Sequence, residues 1–164
     1  MKIKIETIIE EDINELTDIM TKAFDDDAQK HLGKDHGGPE GYNNGDFFKK
    51  WLFPYHESKG YKAINETTGK IEGAIIVWIL PENEFNSVGT IFVDPKEQRK
   101  GIATLLWKHI EKEHPEKKLW ILETPEWAEA AHRFYEKIGF HRTEKKEYSE
   151  GKENFYVFVY KKEP

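Results

Sequence analysis

The stretch Val93-Asp94-Pro95-Lys96-Glu97-Gln98-Arg99-Lys100-Gly101-Ile102-Ala103 decides how this chain is read. Before it lies a short apolar run, Val88–Val93, which reads as a strand closed by Asp94-Pro95. After it, Ile102, Leu105, Leu106, His109 and Ile110 recur at helical spacing, so Gly101–Glu113 is expected to be a helix with those side chains inward. A basic, glycine-containing loop thus joins the end of a strand to the start of a helix. The first N–H groups of a helix lack intrahelical partners, and the aligned peptide dipoles make that end electropositive. A phosphate placed there accepts those N–H groups directly. Gly101 has no Cβ to hold the backbone away from an anion. Ala103 leaves the next turn uncrowded, and Arg99 and Lys100 add positive charge. The loop is not a Walker P-loop, since Gly-x-x-x-x-Gly-Lys-Ser/Thr does not occur, and the three glycines of a dinucleotide fingerprint are missing.

Upstream, Lys2–Ile9 reads as a first strand with Ile3, Ile5 and Ile9 on one face, and Glu11 and Asp12 favour a helix start. Ile13, Leu16, Ile19, Met20, Ala23 and Phe24 then form a helical stripe. Asp25 to Gly45, rich in acids, glycines and histidines, reads as a loop. Asp46 is placed to cap a second helix carrying Phe47, Phe48, Trp51, Leu52 and Tyr55. Strands at Tyr61–Asn65 and Ile71–Leu80 are joined by the turn residues Thr67-Thr68-Gly69-Lys70.

Downstream, Lys118–Glu123 reads as a strand and Glu126–Ile138 as a helix with Trp127, Ala130, Ala131, Phe134 and Ile138 inward. Gly139 stands where a helix commonly ends in a left-handed residue. His141–Ser149 and Glu153–Tyr160 form a closing hairpin around Glu150-Gly151-Lys152. The expected fold is α/β (α+β): a mixed, mostly antiparallel sheet of about seven strands with helices on both faces, in one domain over residues 1–164.

Composition excludes several classes. The chain has 164 residues, 37% hydrophobic and 13% aromatic, enough to bury a core. Its 31 acidic and 25 basic residues give a net charge of −6, which disfavours nucleic acid as a partner and mildly favours cationic substrates. No apolar run reaches the ~20 residues a membrane helix needs, and Met1 to Glu10 has no signal-peptide core. Cysteine is absent, which removes disulfides, thiolate metal sites and a cysteine nucleophile. The cytoplasm is the expected address.

A second stretch, Ala128-Glu129-Ala130-Ala131-His132-Arg133-Phe134-Tyr135-Glu136-Lys137-Ile138-Gly139-Phe140, completes a pattern. With the loop, it resembles the Gcn5-related N-acetyltransferase (GNAT) superfamily. The Gln/Arg-x-x-Gly-x-Gly/Ala motif is matched by Gln98, Gly101 and Ala103. The downstream Ala-x-x-Phe/Leu-Tyr-x-x-x-Gly-Phe helix is matched by Ala131, Phe134, Tyr135, Gly139 and Phe140, and the strand-helix order resembles the family across nearly the whole chain. Many members carry an asparagine seven residues before the tyrosine, against the cofactor's pantetheine arm; here that position is Ala128.

The resemblance implies an acetyltransferase that moves an acetyl group from acetyl-CoA to a primary amine. It implies that backbone groups of Ile91, Phe92 and Val93 line the acetyl and pantetheine groups. The N–H groups of Gln98, Arg99, Lys100, Gly101, Ile102, Ala103 and Thr104 would hold the pyrophosphate, with Ala131 also at the cofactor. Tyr135 would be the acid that protonates the departing thiolate. Tyr135 falls one helical turn beyond Ala131 and one step off the apolar stripe, consistent with a hydroxyl facing a cleft; packing against Phe134 is the plainer alternative.

An amine of reference pKa about 10.4 must lose a proton before it attacks. Glu72, Asp94, Glu123 and His132 lie on elements able to approach a cleft, as does a water chain, and residue type alone does not choose among them. Asp25, Asp26 and Asp27 would draw in a cationic amine while Trp51, Phe53 and Tyr55 wall its pocket, or they form a solvated acidic turn and an amphipathic helix. His31 and His36 are spaced neither i,i+3 nor i,i+4, so no metal site is expected. The acceptor is expected to be a small cationic amine or polyamine, with a protein N-terminus or lysine as the alternative and a non-catalytic CoA-sensing module as another. Phe155, Val157 and Val159 alternate with Tyr156, Phe158 and Tyr160, so both faces of the last strand are apolar and a homodimer is expected.

Overall fold

A computed structural model describes residues 2–150 and 153–164. Seven strands and four helices follow in the order β1 (Ile3–Thr7), α1 (Ile13–Leu32), α2 (Asp46–Trp51), β2 (Ser58–Asn65), β3 (Ile71–Trp78), β4 (Phe85–Val93), α3 (Ile102–Glu113), β5 (Leu119–Pro125), α4 (Glu129–Lys137), β6 (His141–Glu150) and β7 (Glu153–Lys162). Hydrogen bonding orders the strands β1-β2-β3-β4-β5-β7-β6. β1 pairs β2, β2 pairs β3, and β7 pairs both β5 and β6, all antiparallel; β4 and β5 run parallel. The mixed, mostly antiparallel sheet is the architecture expected from the sequence. At the turn of the closing hairpin, Gly151 and Lys152 lie outside the described residues.

Contacts fall into two compact units. The first, residues 1–79 and 89–115, holds β1–β3, the last part of β4, and α1–α3. Its core gathers Leu16, Ile19, Met20 and Ala23 of α1, Phe47 and Phe48 of α2, Ala74 and Ile76 of β3, and Phe92 of β4. Side chains alternate along a strand, so Gly73 faces away from Ala74. A Cβ at Gly73 would stand 2.9 Å from the Phe92 carbonyl oxygen and 3.3 Å from Ile102 of α3. That close approach seats α3 on the face opposite α1 and α2. Tyr61 of β2 hydrogen-bonds His114 at the C-terminal end of α3 across 2.9 Å.

The second unit, residues 80–88 and 116–164, holds the start of β4, β5, α4 and the β6–β7 ribbon. Trp120, Leu122, Ala128, Tyr135, Phe140, Val157, Val159 and Tyr160 are buried in it.

The structure corrects several boundaries. Asp25–Leu32 is not loop but the last two turns of α1. Ala28 is fully buried there, Lys30 pairs Asp26 at 2.9 Å in the i,i+4 register, and Gly33 closes the helix in the left-handed conformation. Asp46 is the first residue of α2 rather than its cap; left-handed Gly45 takes that place, and α2 ends at Trp51, before Phe53 and Tyr55. The first strand stops at Thr7, Ile8 turns into the core and Ile9 is exposed. On α3, Trp107 is buried and Leu105 is 41% exposed, the reverse of the apolar count. On α4 the buried stripe is Ala128, His132 and Tyr135, while Ala130 is exposed, so Tyr135 lies on the stripe and not beside it. An apolar stripe passes over this face because two of its three residues, His132 and Tyr135, carry polar groups. His132 and Tyr135 are buried through a hydrogen bond and aromatic packing.

Candidate functional site

The loop after β4 is built from short local hydrogen bonds. Asp94 Oδ1 accepts from the Lys96 N–H at 3.1 Å and caps a 3-10 turn over Pro95–Glu97, with proline at its first position. Gln98 Nε2 donates back to the Val93 carbonyl at 3.3 Å. Arg99 has a φ of 66°, the one left-handed non-glycine among the described residues, and Gly101 follows at 83°. The first bond of α3 runs from the Leu105 N–H to the Gly101 carbonyl, so the N–H groups of Ile102 to Thr104 precede the helical ladder. A Cβ at Gly101 would meet nothing within 4 Å. The helix therefore begins with donors that its own ladder does not use, beside open space at Gly101.

Lys100 gives its ammonium to Glu97 at 2.6 Å, and that hydrogen bond raises its pKa. Gln98, Arg99, Lys100 and Gly101 are exposed, Ala103 and Thr104 half-buried, and Ile102 buried. Phe92 and Val93 turn their side chains into the core and Ile91 is half-buried. All of these residues belong to the first unit, whereas Ala131 and Tyr135 belong to the second.

Tyr135 is 7% exposed, its ring set against Phe140, Tyr160 and Phe134. Burial raises its pKa well above the ordinary tyrosine range, so the phenol stays protonated at any neutral pH. Ala128 occupies the N-cap of α4 and supplies no side-chain cap. His132, next on that face, donates from Nε2 to the Pro125 carbonyl at 2.8 Å and lies against Phe158 and Tyr160. Burial lowers its pKa, only partly offset by that carbonyl.

The four acid–base candidates part ways. Glu72 is 6% exposed and accepts from Asn65 Nδ2 at 2.8 Å; Asp94 caps its turn; His132 is committed to Pro125. Glu123 is exposed, accepting from Tyr148 Oη at 2.6 Å and Lys146 Nζ at 3.2 Å.

The three acids of α1 serve different ends. Asp25 accepts from Tyr42 Oη, the Gly37 N–H and His36, pinning the following loop to the helix. Burial opposes its charge, but those three donors together hold its pKa below the usual range. Burial and the same contact with Asp25 push Tyr42 up to about 12. Asp26 pairs Lys30, and burial raises Asp27. A cavity of about 350 Å³ opens beside Asp25 and Asp26, with Lys22, Asp94 and Lys96 also on its walls. Trp51 sits 6.1 Å from Trp78, whose ring lies where a Cβ of Gly89 would stand; Phe53 is half-buried and Tyr55 exposed. Tyr42, Trp78 and Tyr148 had no sequence signal of their own, because each acts through a partner distant in the chain.

Known proteins resolve what this geometry belongs to. The model of the acetyltransferase (GNAT) family matches residues 15–140. The chain belongs to that family. Among solved structures, the GNAT chain is similar to the ribosomal-protein-S18-alanine N-acetyltransferase of Escherichia coli, with a TM-score of 0.75 at 17% identity over 99% of this chain and 94% of that one. It is similar also to the PaiA N-acetyltransferase of Thermoplasma acidophilum, solved in complex with coenzyme A (0.72, 16%, all of both chains). A third is Arabidopsis thaliana NAA60 in complex with a bisubstrate analogue (0.71, 15%, 98% and 97%). At these identities the likeness is one of fold. A curated relative, the uncharacterized protein YrkN of Bacillus subtilis (strain 168), is 35% identical over 77 residues, 46% of this chain and 42% of that protein, so the match spans less than half of the relative's length.

As a GNAT fold, the chain is consistent with acetyl transfer dependent on acetyl-CoA. Among the described residues no group of three His, Asp or Glu side chains gathers into a metal site, and no helix is long and apolar enough to cross a membrane.

Proposed function

We propose that this GNAT chain, acting as one domain over residues 1–164, carries an acetyl group from acetyl-CoA to a primary amine by direct transfer in a ternary complex. The observation that carries the reading is the loop at the head of α3, where left-handed Arg99 and Gly101 precede N–H groups that lie before the helical ladder. Those donors fit a pyrophosphate, since the helix dipole adds to the charge of Arg99 and Lys100. Backbone groups of Ile91, Phe92 and Val93 are assigned to the acetyl and pantetheine groups, and Ala131 to the cofactor's side of α4. With Ala128 in place of the family's asparagine, one polar contact to the pantetheine arm is missing or is supplied from elsewhere.

In the reaction the amine nitrogen attacks the thioester carbon, the C–N bond forms and the C–S bond breaks. Tyr135 delivers a proton to the departing thiolate. Burial raises its pKa, which keeps the phenol protonated but makes it a weaker acid, so the role rests on the family motif that Phe134 and Tyr135 match and not on acidity. No cysteine exists to carry an acyl intermediate.

The acceptor we assign is a small cationic amine or polyamine, on the net charge of −6 and the acids lining the cavity beside α1. Of the aromatics expected to wall the acceptor's pocket, Trp51 and Phe53 pack against the core of the first unit, Tyr55 is exposed, and none of the three lines that cavity. Cytoplasmic placement and a homodimer belong to the same proposal.

The deciding experiment is release of free thiol from acetyl-CoA over a panel of polyamines, aminoglycosides, amino acids and basic peptides. Release dependent on a polyamine or aminoglycoside supports the reading, and release with peptides alone replaces the small amine by a protein acceptor. CoA binding in calorimetry without release by any acceptor favours a CoA-sensing module. Absence of CoA binding ends the proposal.

A further inference from the structure

We propose that Glu97 holds the Lys100 ammonium back from the pyrophosphate of the cofactor and thereby sets the affinity for CoA, as a positioning residue that acts through Lys100. This inference rests on the acetyl-transfer reading above, and every residue in it belongs to the first unit.

The pair spans the bend that precedes α3. Glu97 closes the 3-10 turn over Pro95–Glu97, its N–H bonded to the Asp94 carbonyl at 2.8 Å. Gln98 is then extended and Arg99 left-handed, and across that reversal Lys100 Nζ stands 2.6 Å from Glu97 Oε2. Gly101 and the first N–H groups of α3 follow directly. A diphosphate seated on those groups therefore has an ammonium and a carboxylate side by side at its edge, one attracting it and the other repelling it.

The charge count shows what this does. Between Asp94 and Gly101 two carboxylates stand against three cations, Lys96, Arg99 and Lys100. Asp94 is used as a cap, whereas Glu97 spends its charge on the lysine beside the helix start. A hydrogen bond to Glu97, and then the charge of that carboxylate, raise the Lys100 pKa, and Glu72 acts in the same direction. Glu72 is buried, with Oε2 lacking a hydrogen-bond partner among the described residues, and its carbonyl accepts from the Asp94 N–H at the root of the loop. Two carboxylates thus bear on Lys100, one by contact and one through its field.

Bracing the turn is a poor reason for the contact, since ion pairs between exposed side chains contribute little to stability. Its effect on an anion is larger. Each turnover must admit acetyl-CoA and let CoA go, and release of product limits many enzymes. Helix N–H groups, the helix dipole and three cations together would hold a diphosphate long after the acetyl group has left. Glu97 opposes that twice, by occupying the ammonium and by repelling the phosphates. A bracing role and a restraining role predict opposite signs. Loss of a brace loosens the loop and weakens CoA binding, whereas loss of a restraint frees Lys100 and strengthens it.

The test measures CoA affinity by calorimetry and CoA dissociation by stopped flow at low salt, for wild type, Glu97→Gln and the double variant Glu97→Gln/Lys100→Gln. Glu97→Gln is expected to tighten CoA by about 3–10-fold, mainly through slower dissociation. KM for acetyl-CoA should fall with it while KM for the amine stays put. In about 1 M salt, where the Debye length is about 3 Å, the gain should shrink to less than about twofold. The double variant should return to within about twofold of wild type, because the freed ammonium carries the gain. Glu97→Gln affinity equal to or weaker than wild type overturns the inference, as does a gain that survives removal of Lys100; in both cases the transfer reading stands. Wild-type protein that binds no CoA sinks both together.

Discussion

At the scale of single residues, Arg99 and Tyr135 carry the argument. A side chain with a Cβ in the left-handed region costs about 1–2 kcal/mol. Arg99 is held there by the turn that begins at Asp94. Arg99→Gly should therefore stabilise the fold by about 1 kcal/mol, since the freer unfolded glycine offsets part of the relief, and raise Tm by roughly 2–4 °C. The same change deletes a cation of the proposed phosphate site, so CoA affinity measured by calorimetry should fall as stability rises. Opposite movement of the two quantities separates a binding arginine from one that is merely tolerated. Tyr135→Phe keeps the ring against Phe140 and Tyr160 and removes only the hydroxyl. Turnover should drop by about 10²–10⁴-fold with CoA affinity within about twofold; unchanged turnover would remove Tyr135 from the mechanism.

At the scale of elements, α4 shows how a polar residue seats a helix. His132 is buried and neutral, its Nε2 proton given to Pro125 at the end of β5, and its folded pKa lies below the unfolded value of 6.5. The unfolded chain binds more protons below that value, so this contribution is present above pH 6.5 and is lost as pH falls through the folded pKa. Urea midpoints measured from pH 8 to pH 5 should decline in that window, and His132→Asn, which retains a donor but does not titrate, should flatten the decline. A midpoint curve of the same shape in both proteins would place the titration elsewhere. The helix was legible in the sequence from its position and its Gly139 stop, but its buried face was misplaced by one residue. A histidine scores as polar in a pattern count; only the position of the Pro125 carbonyl shows that burying it leaves nothing unsatisfied.

At the scale of the whole molecule, charge makes the testable statement. With a net charge of −6 the field favours approach of cations. Raising ionic strength from about 0.01 M to about 0.15 M shortens the Debye length from about 30 Å to about 8 Å. KM for a polyamine acceptor should then rise several-fold with kcat unchanged. A KM indifferent to salt would show that recognition is local to the pocket. The homodimer expectation loses one of its supports, because Val157 and Val159 are already buried within the single chain. What the sequence determined by itself was local: the strand-turn-helix at Val93–Ala103, the helix ending at Gly139 and the order of seven strands all follow from turn chemistry and periodicity over a dozen residues. Tertiary structure decided what local pattern cannot encode. The last turns of α1 are helical because Tyr42 and Gly37, more than ten residues on, bind Asp25. Glu123 has its hydrogen-bond partner because Tyr148, 25 residues away, reaches its oxygen. Hydrogen bonds between distant residues exist only once the sheet has brought them together, and that is why neither could be read along the chain.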